Sequence, residues 1–226
     1  MRQTAPVLEM SRLRSELDAA CADADVEVAS VVVYVVASRQ PEGTTPLAYL
    51  NPAGVVRADT VAVFRAVGSA RAAGYAGTAH RLAVWRELPE FPAAALGPML
   101  RHELEHARRF ERSGPAFFEA DDLLRAAVRA TGGQGYARLP SELEANAASA
   151  AYAARMLTPA ELGKLRAVPE CAALLDGAQP PEDVVEMTLA LLDSPRAVEM
   201  RAAFAGWDGG AWRRAAFTTG PLIDLV

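Results

Sequence analysis

The spacing of apolar residues predicts helices and strands in the first part of the chain. Apolar side chains recur at near-helical intervals over residues 6–22, which predicts an amphipathic opening helix. The β-branched run over residues 26–38 predicts a buried strand, and alternating apolar and polar residues over 80–87 predict a second one. Between them, Asp59 can cap a helix that runs towards the glycines at 74 and 77.

Helical patterns dominate the chain after Pro92. Three helices separated by glycine or proline are predicted over 93–111, 116–130 and 141–157. Thr158 and Glu161 have the spacing of a capping box, which predicts the start of further helices. We therefore predict an α+β fold that is mostly helical, with a small sheet packed on one of the helices and a helical C-terminal extension. Residues 1–158 are expected to form the main domain, and 159–226 an extension that can belong to the same domain.

The composition is that of an ordinary globular protein, and it narrows the classes of function. The chain has 226 residues, of which 51% are hydrophobic and 23% charged, with a formal net charge of −5. A negative net charge argues against direct nucleic-acid binding, which needs a surplus of Lys and Arg. The longest apolar run, residues 31–37, is far shorter than the roughly 20 residues of a membrane-spanning helix, and no signal-type apolar core follows Met1. We therefore expect a cytoplasmic protein with no membrane partner.

The two cysteines do not suggest a disulfide or metal framework. Cys21 and Cys171 lie far apart in sequence that is otherwise helical in pattern, and neither belongs to a CxxC motif. We expect both to be free, buried thiols.

The residues that indicate chemistry are His102-Glu103-Leu104-Glu105-His106, an HExxH sequence within a predicted helix. Two histidines four residues apart lie about one turn apart on the same side of a helix, where both imidazoles can reach a single Zn²⁺ ion. The sequence therefore predicts that His102 and His106 are zinc ligands.

The two glutamates of this motif fall on different sides of the predicted helix. At roughly 100° per residue, Glu103 lies in the middle of the apolar arc, whereas Glu105 lies on the side that carries several arginines. A carboxylate in apolar surroundings has a raised pKa, and beside a metal-activated water it can accept a proton. Glu103 is therefore the predicted general base, and Glu105 a solvated partner of the arginines.

A third zinc ligand must come from another segment, because zinc hydrolases usually have three protein ligands. The downstream candidates are the carboxylates of Glu119, Asp121, Asp122, Glu142 and Glu144. Ser141 and Glu144 have capping-box spacing, which would give Glu144 a structural role at a helix N-terminus. Glu142 has no such role and shares one side of its predicted helix with Asn146. Glu142 is therefore the preferred third ligand.

Three other residues are candidates for supporting roles. Asn146, one turn after Glu142, can hold a zinc-bound histidine through its second ring nitrogen, and a polar core contact is an equal alternative. Tyr136, in a glycine-rich loop, is the candidate donor to a developing oxyanion, and anchoring the loop is its alternative role. His80 is expected on the surface or in a turn rather than at the metal.

A strand, a helix with HExxH, and Glu142-Leu143-Glu144-Ala145-Asn146 on a later helix resemble the gluzincin clan of zinc peptidases. The likeness is greatest to the ImmA/IrrE family of bacterial metallopeptidases, whose second motif has the form ExxAN, and it covers residues 80–159. The resemblance implies a zincin-type active-site helix, a Zn²⁺ cofactor held by the two histidines and Glu142, and Glu103 as the catalytic base. A metzincin site is excluded, because Arg109 and Arg112 stand where an HxxGxxH continuation requires glycine and histidine.

The resemblance thus implies a zinc-dependent endopeptidase whose substrate is a protein or peptide, such as a cytoplasmic regulatory protein. Two alternatives stay open. The first is a catalytically silent, zinc-bearing interaction module that binds its partner through the helical tail. The second is a metal-dependent amide hydrolase with a non-peptide substrate.

Overall fold

Helices make up most of the part of the chain that the structure describes. The computed structural model describes residues 9–36, 62–65, 80–85, 92–130, 132, 135–175, 182–192, 195, 198–199, 202 and 222–225. The α-helices among them are α1 (Met10–Ala24), α2 (Leu96–Ala130), α3 (Pro140–Met156), α4 (Pro159–Arg166), α5 (Pro169–Leu175) and α6 (Val184–Ala190). Within these described ranges, no helix has an apolar stretch long enough to cross a membrane.

The predicted α+β class is wrong for this chain. Helices account for most of the residues that the structure describes, which is the composition of a mainly helical fold. Alanine and other good helix formers fill the segments that became α2 and α3, so local propensity and tertiary packing favour the same conformation there. The strands predicted over 26–38 and 80–87 are present at Val31–Val36 and His80–Trp85, but they are short beside the helices.

The extended elements are β1 (Val31–Val36), β2 (Ala62–Arg65), β3 (His80–Trp85) and β4 (Leu222–Leu225). They pair in the order β2-β3-β1-β4, with β1 parallel to both β3 and β4 and with β2 antiparallel to β3. The helix predicted after Asp59 is wrong at residues 62–65, and its other residues lie outside the described ranges. The C-terminal extension is likewise not helical throughout, because β4 pairs with a strand almost 200 residues earlier. Such pairing is decided by distant residues, which local patterns do not reveal.

The main hydrophobic core lies between α1, the strands β1 and β3, and the first half of α2. Its buried members include Leu13, Leu17, Val33, Leu82, Val84, Leu100, Leu104 and Phe110. Burial of this apolar surface is the principal stabilising contribution, and it fixes the position of the first half of α2.

The break predicted within the long helical region is confirmed at Gly114. There α2 is interrupted, with φ of 77° and ψ of −176°, a conformation that favours glycine. The following Pro115 also disfavours a helical conformation for the residue before it. The break divides α2 into a first half that carries the HExxH motif and a second half that carries Asp121 and Arg125.

The C-terminal helices pack against the helices that precede them. The capping box that opens α4 is confirmed, because Thr158 Oγ1 accepts from the backbone N–H of Glu161, and Glu161 Oε2 accepts from that of Thr158. Leu165 of α4 and Cys171 of α5 form a small buried cluster with Ala95, just before α2. Both cysteines are free and buried, as predicted, and the division of the chain at residue 158 stays a prediction.

Glu105 belongs to a buried network of charges. Its Oε2 accepts a hydrogen bond from Arg101 Nη1 at 2.7 Å and its Oε1 accepts from Arg108 Nε at 2.8 Å. Arg101 also donates to Asp23 of α1 at 2.7 Å. The prediction that Glu105 pairs with arginines is confirmed. The prediction that it is solvated is wrong, because its side chain is only 1% exposed. Arg101, one of the arginines on the same side of the helix as Glu105, is buried as well.

Replacing Glu105 with Ala is expected to lower the free energy of unfolding by about 3 kcal/mol, because Arg101 stays buried without this carboxylate. Burial raises the pKa of Glu105, but the hydrogen bonds and charges of Arg108 and Arg101 outweigh burial and bring the pKa below its ordinary value. The stabilisation is therefore complete above the unfolded-state pKa near 4.5 and is lost as the pH falls through the lower folded-state pKa. Urea denaturation of both proteins at about pH 7 and about pH 3 measures this difference.

The control is Asp18→Ala, which removes the exposed Arg14–Asp18 pair on α1. An exposed pair contributes less than about 1 kcal/mol, so this variant is expected to unfold almost like the parent protein. Equal destabilisation by the two variants would contradict the buried network around Glu105.

Candidate metal centre

His102, His106 and Glu142 come together between two helices. Nε2 of His102 lies 3.4 Å from Oε2 of Glu142, and Nε2 of His106 lies 3.5 Å from Oε1 of the same carboxylate. One potential ligand atom from each residue lies within 4.8 Å of the other two, and all three residues are buried. Two imidazoles and one carboxylate are the donor set of a common class of catalytic zinc site, so the residues present fit this metal.

The two helices that carry these side chains are joined by a buried hydrogen bond. His102 and His106 lie one turn apart in the first half of α2, with ring centroids 5.1 Å apart and planes at 85°. Glu142 lies in the first turn of α3, which begins with Pro140. Further along α3, Ser149 Oγ donates to the carbonyl oxygen of Pro98 near the start of α2 at 2.9 Å. This contact helps to hold the carboxylate opposite the imidazoles.

The predicted capping box at the start of α3 is wrong. No side chain caps this helix N-terminus. Ser141 Oγ instead donates to Asp121 Oδ1 at 2.5 Å, and Glu144 accepts from Arg109 Nε at 2.9 Å. Both partners belong to α2, so packing between the helices replaced the local interaction. Glu144 therefore pairs with Arg109, whereas Glu142 faces the two histidines.

Burial and neighbouring charges shift the pKa values of all three candidate ligands. Burial raises the pKa of Glu142, but the Arg125 guanidinium and the two histidines bring it well below its ordinary value, so the carboxylate is ionised. Burial lowers the pKa of His106 to about 4, so this imidazole is neutral at neutral pH. Burial acts in the same direction on His102, but the Glu142 carboxylate outweighs it and raises the pKa. Because metal binding needs neutral imidazoles, a bound metal competes with protons mainly at His102.

Glu103 lies half-buried beside this set of ligands. Glu103 directly follows His102. Burial and Glu142 have the larger effects on the pKa values of His102 and Tyr136, and the charge of Glu103 makes a smaller contribution that raises both. Glu105, two residues later, lies among the arginines of the buried network. The two glutamates of the motif therefore have different environments, and the role of Glu103 as a general base stays a prediction.

Tyr136 lies in a short 3-10 turn, Tyr136–Arg138, just before α3. Arg125 Nη1 donates to its hydroxyl, and Arg125 Cζ lies 5.1 Å from the centroid of its ring. Burial raises the pKa of Tyr136 to about 12 although the Arg125 charge opposes it, so the phenol stays protonated at neutral pH. A protonated phenol has the donor that an oxyanion needs, and this role for Tyr136 also stays a prediction.

Asn146 lies one turn after Glu142 and is buried, as its position on the predicted helix suggested. Nδ1 of His102 is nevertheless buried with no hydrogen-bond partner in the described part of the chain. The predicted contact between Asn146 and the second ring nitrogen is therefore not formed at His102.

His80 is not the surface or turn histidine that the sequence suggested. It is completely buried at the start of β3, where its Nε2 lies 3.2 Å from Oε1 of Glu111. Its ring packs edge-on against Phe110 with centroids 5.7 Å apart. His80 thus belongs to the packing between β3 and α2 and lies outside the group of candidate ligands.

Arg125 is the residue at this site that sequence reasoning missed. Its Nη1 lies 2.7 Å from Oε1 of Glu142. Asp121, one turn earlier on α2, was another candidate for the third ligand. It pairs with the same guanidinium, so its partner is Arg125. The sequence signal was the four-residue spacing of Asp121 and Arg125, which is frequent on ordinary helix surfaces.

Comparisons with known proteins provide no relative. No protein-family model, curated protein or solved structure matches the chain. Its function is therefore inferred from the chemistry of the site itself.

Proposed function

We propose that this protein is a zinc-dependent peptidase of the gluzincin type, as the resemblance to ImmA/IrrE metallopeptidases implies. The observation that carries the proposal is the convergence of His102, His106 and Glu142, whose ligand atoms lie within 4.8 Å of one another. A half-buried carboxylate, Glu103, lies beside them, and a base in this position is what hydrolysis by an activated water requires. The arrangement therefore combines a metal ligand set with a proton acceptor.

Zinc held by His102, His106 and Glu142 would supply a Lewis acid that acidifies water and polarises a carbonyl. Glu103 accepts a proton from the water that attacks the peptide carbonyl carbon. As the C–N bond breaks, Glu103 passes this proton to the leaving nitrogen, so the products are a carboxylate and an amine. Tyr136 donates a hydrogen bond to the oxygen on which negative charge develops.

We propose that the substrate is a peptide segment of a cytoplasmic protein, such as a regulatory protein. Two free, buried thiols and the lack of a disulfide framework in the sequence support a reducing compartment. The net charge of −5 gives no general attraction to nucleic acid. The resemblance to ImmA/IrrE metallopeptidases supports a regulatory substrate.

The purified protein is expected to bind one equivalent of zinc and to cleave unfolded polypeptides only when it holds the metal. Zinc at about 100 times its dissociation constant should stabilise the protein by about 2.7 kcal/mol, which thermal denaturation with and without a chelator can measure. A peptide library analysed by mass spectrometry would reveal cleavage and its positions.

Each alternative function gives a different result in this experiment. Stoichiometric zinc with no cleavage of any peptide would contradict the peptidase and favour a silent interaction module. Zinc-dependent hydrolysis of small amides without peptide cleavage would favour an amide hydrolase. No zinc binding would contradict the metal centre itself.

A further inference from the structure

Arg125 connects three segments of the chain beside the candidate metal centre. Its Nε donates to Asp121 of the same helix, and its Nη2 donates to Ser141 Oγ on α3 at 3.1 Å. Its Nη1 contacts both the hydroxyl of Tyr136 and, at 2.7 Å, Oε1 of Glu142. The Arg125 side chain is only 13% exposed. One guanidinium therefore contacts the preferred third ligand, the candidate oxyanion donor and the start of α3.

We propose that Arg125 is a positioning residue that fixes the orientation of the Glu142 carboxylate for metal binding. The guanidinium binds Oε1, and in this orientation the two carboxylate oxygens face the two imidazoles, Oε2 towards His102 and Oε1 towards His106. Hydrogen-bonded partners of ligating carboxylates commonly set the affinity of a metal site. This inference rests on one part of the proposed function, namely that His102, His106 and Glu142 hold the metal.

The shape of the guanidinium explains why arginine serves in this position. Its five N–H groups lie in one plane, and the four contacts here use Nε, Nη1 and Nη2 together. A lysine ammonium has the same charge but cannot reach Asp121, Ser141 and Glu142 in these fixed directions. The structural requirement is thus for the planar group as well as for its charge.

Charge repulsion between Arg125 and a metal cation is offset by a neighbouring carboxylate. Asp121 pairs with the guanidinium and also accepts a hydrogen bond from Ser141 at 2.5 Å. The negative charge of Asp121 therefore offsets part of the repulsion between the guanidinium and a bound cation. We expect the ion pair that orients Glu142 to outweigh the remaining repulsion, so loss of Arg125 should weaken metal binding.

Arg125→Lys and Arg125→Met test this role with zinc and cobalt as probes. Both variants are expected to raise the zinc dissociation constant about 10- to 100-fold, the usual effect of removing a partner of a ligating residue. Competition with a chromophoric chelator measures this constant. The visible absorption spectrum of the Co²⁺-loaded protein should also change, because it reports the arrangement of the ligands.

Arg109→Met is the matched control. Arg109 is a partly buried arginine in the first half of α2, and it pairs with Glu144 of α3 just as Arg125 pairs with Glu142. Its removal takes a comparable contact from the same helix pair without touching the candidate ligands. This variant should lose stability and keep the zinc dissociation constant and cobalt spectrum of the parent protein.

Two results would overturn this positioning role. Parent-like or tighter zinc binding by both Arg125 variants, with an unchanged cobalt spectrum, would show that the guanidinium is only a counterion. Equal loss of zinc affinity in Arg109→Met would show a general effect of helix packing. If Arg125→Met does not fold, Arg125→Lys decides, since it keeps the charge and nearly the volume. Failure of the parent protein to bind zinc would instead contradict the proposed function.

Discussion

Replacing Glu103 with Gln is expected to lower peptide turnover about 100- to 10,000-fold while the zinc content stays unchanged. Glutamine has nearly the same shape but cannot accept the proton from the attacking water, and loss of a general base has an effect of this size. Glu103 lies beside His102 but outside the group of potential ligands, so metal binding should not depend on it. Initial rates on a cleaved peptide, together with metal analysis of the same preparation, check both parts of the expectation.

The second glutamate of the motif provides the control for this experiment. Glu105→Gln removes a buried charge two residues away, in the network with Arg101 and Arg108. It should lower stability, whereas turnover per folded, zinc-loaded molecule should stay close to that of the parent protein. Unchanged turnover in Glu103→Gln would remove Glu103 from the mechanism.

Replacing Glu142 with Ala is expected to raise the zinc dissociation constant by more than about 100-fold. Substitution of a group that merely supports a ligand costs about 10- to 100-fold in affinity, and loss of the ligand itself should exceed that range. The variant also leaves two imidazoles, of which His106 is neutral and His102 loses the carboxylate that raises its pKa. Isothermal titration with zinc, and the loss of zinc-induced thermal stabilisation, measure the effect.

Glu144→Ala is the matched control for the ligand assignment. Glu144 lies two residues later on α3 and pairs with Arg109 rather than with the histidines. Its loss should reduce stability and leave zinc affinity unchanged. If zinc affinity fell in Glu144→Ala and not in Glu142→Ala, the third ligand would be assigned to the wrong glutamate.

The charge network shows where local patterns failed. A helical wheel placed Glu105 with the arginines correctly, because that depends only on spacing along one helix. It placed the group in solvent, whereas Asp23 of α1 covers Arg101 and completes a buried network. Burial of Arg101 and Glu105 depends on a second helix nearly 80 residues away in sequence, which periodicity within α2 does not reveal.

The start of α3 gives a second example. The spacing of Ser141 and Glu144 fits a capping box, yet both side chains pair with residues of α2. A local hydrogen bond is replaced wherever a packed neighbour offers a better partner, and the sequence around the helix end does not identify that neighbour. For the same reason the sequence did not predict the role of Arg125, whose contact with Glu142 joins residues 17 positions apart.

Features that depend on one short segment could be read directly from the chain: the pairing of His102 and His106 on one helix face, the break at Gly114, and the cap at Thr158. Tertiary structure alone decided the strand order of the sheet, the burial of the network around Glu105, and the Arg125 contacts around Glu142. The physical reason is the range of the interactions. Backbone geometry fixes neighbours three or four residues apart, whereas burial and distant hydrogen bonds depend on how whole elements pack.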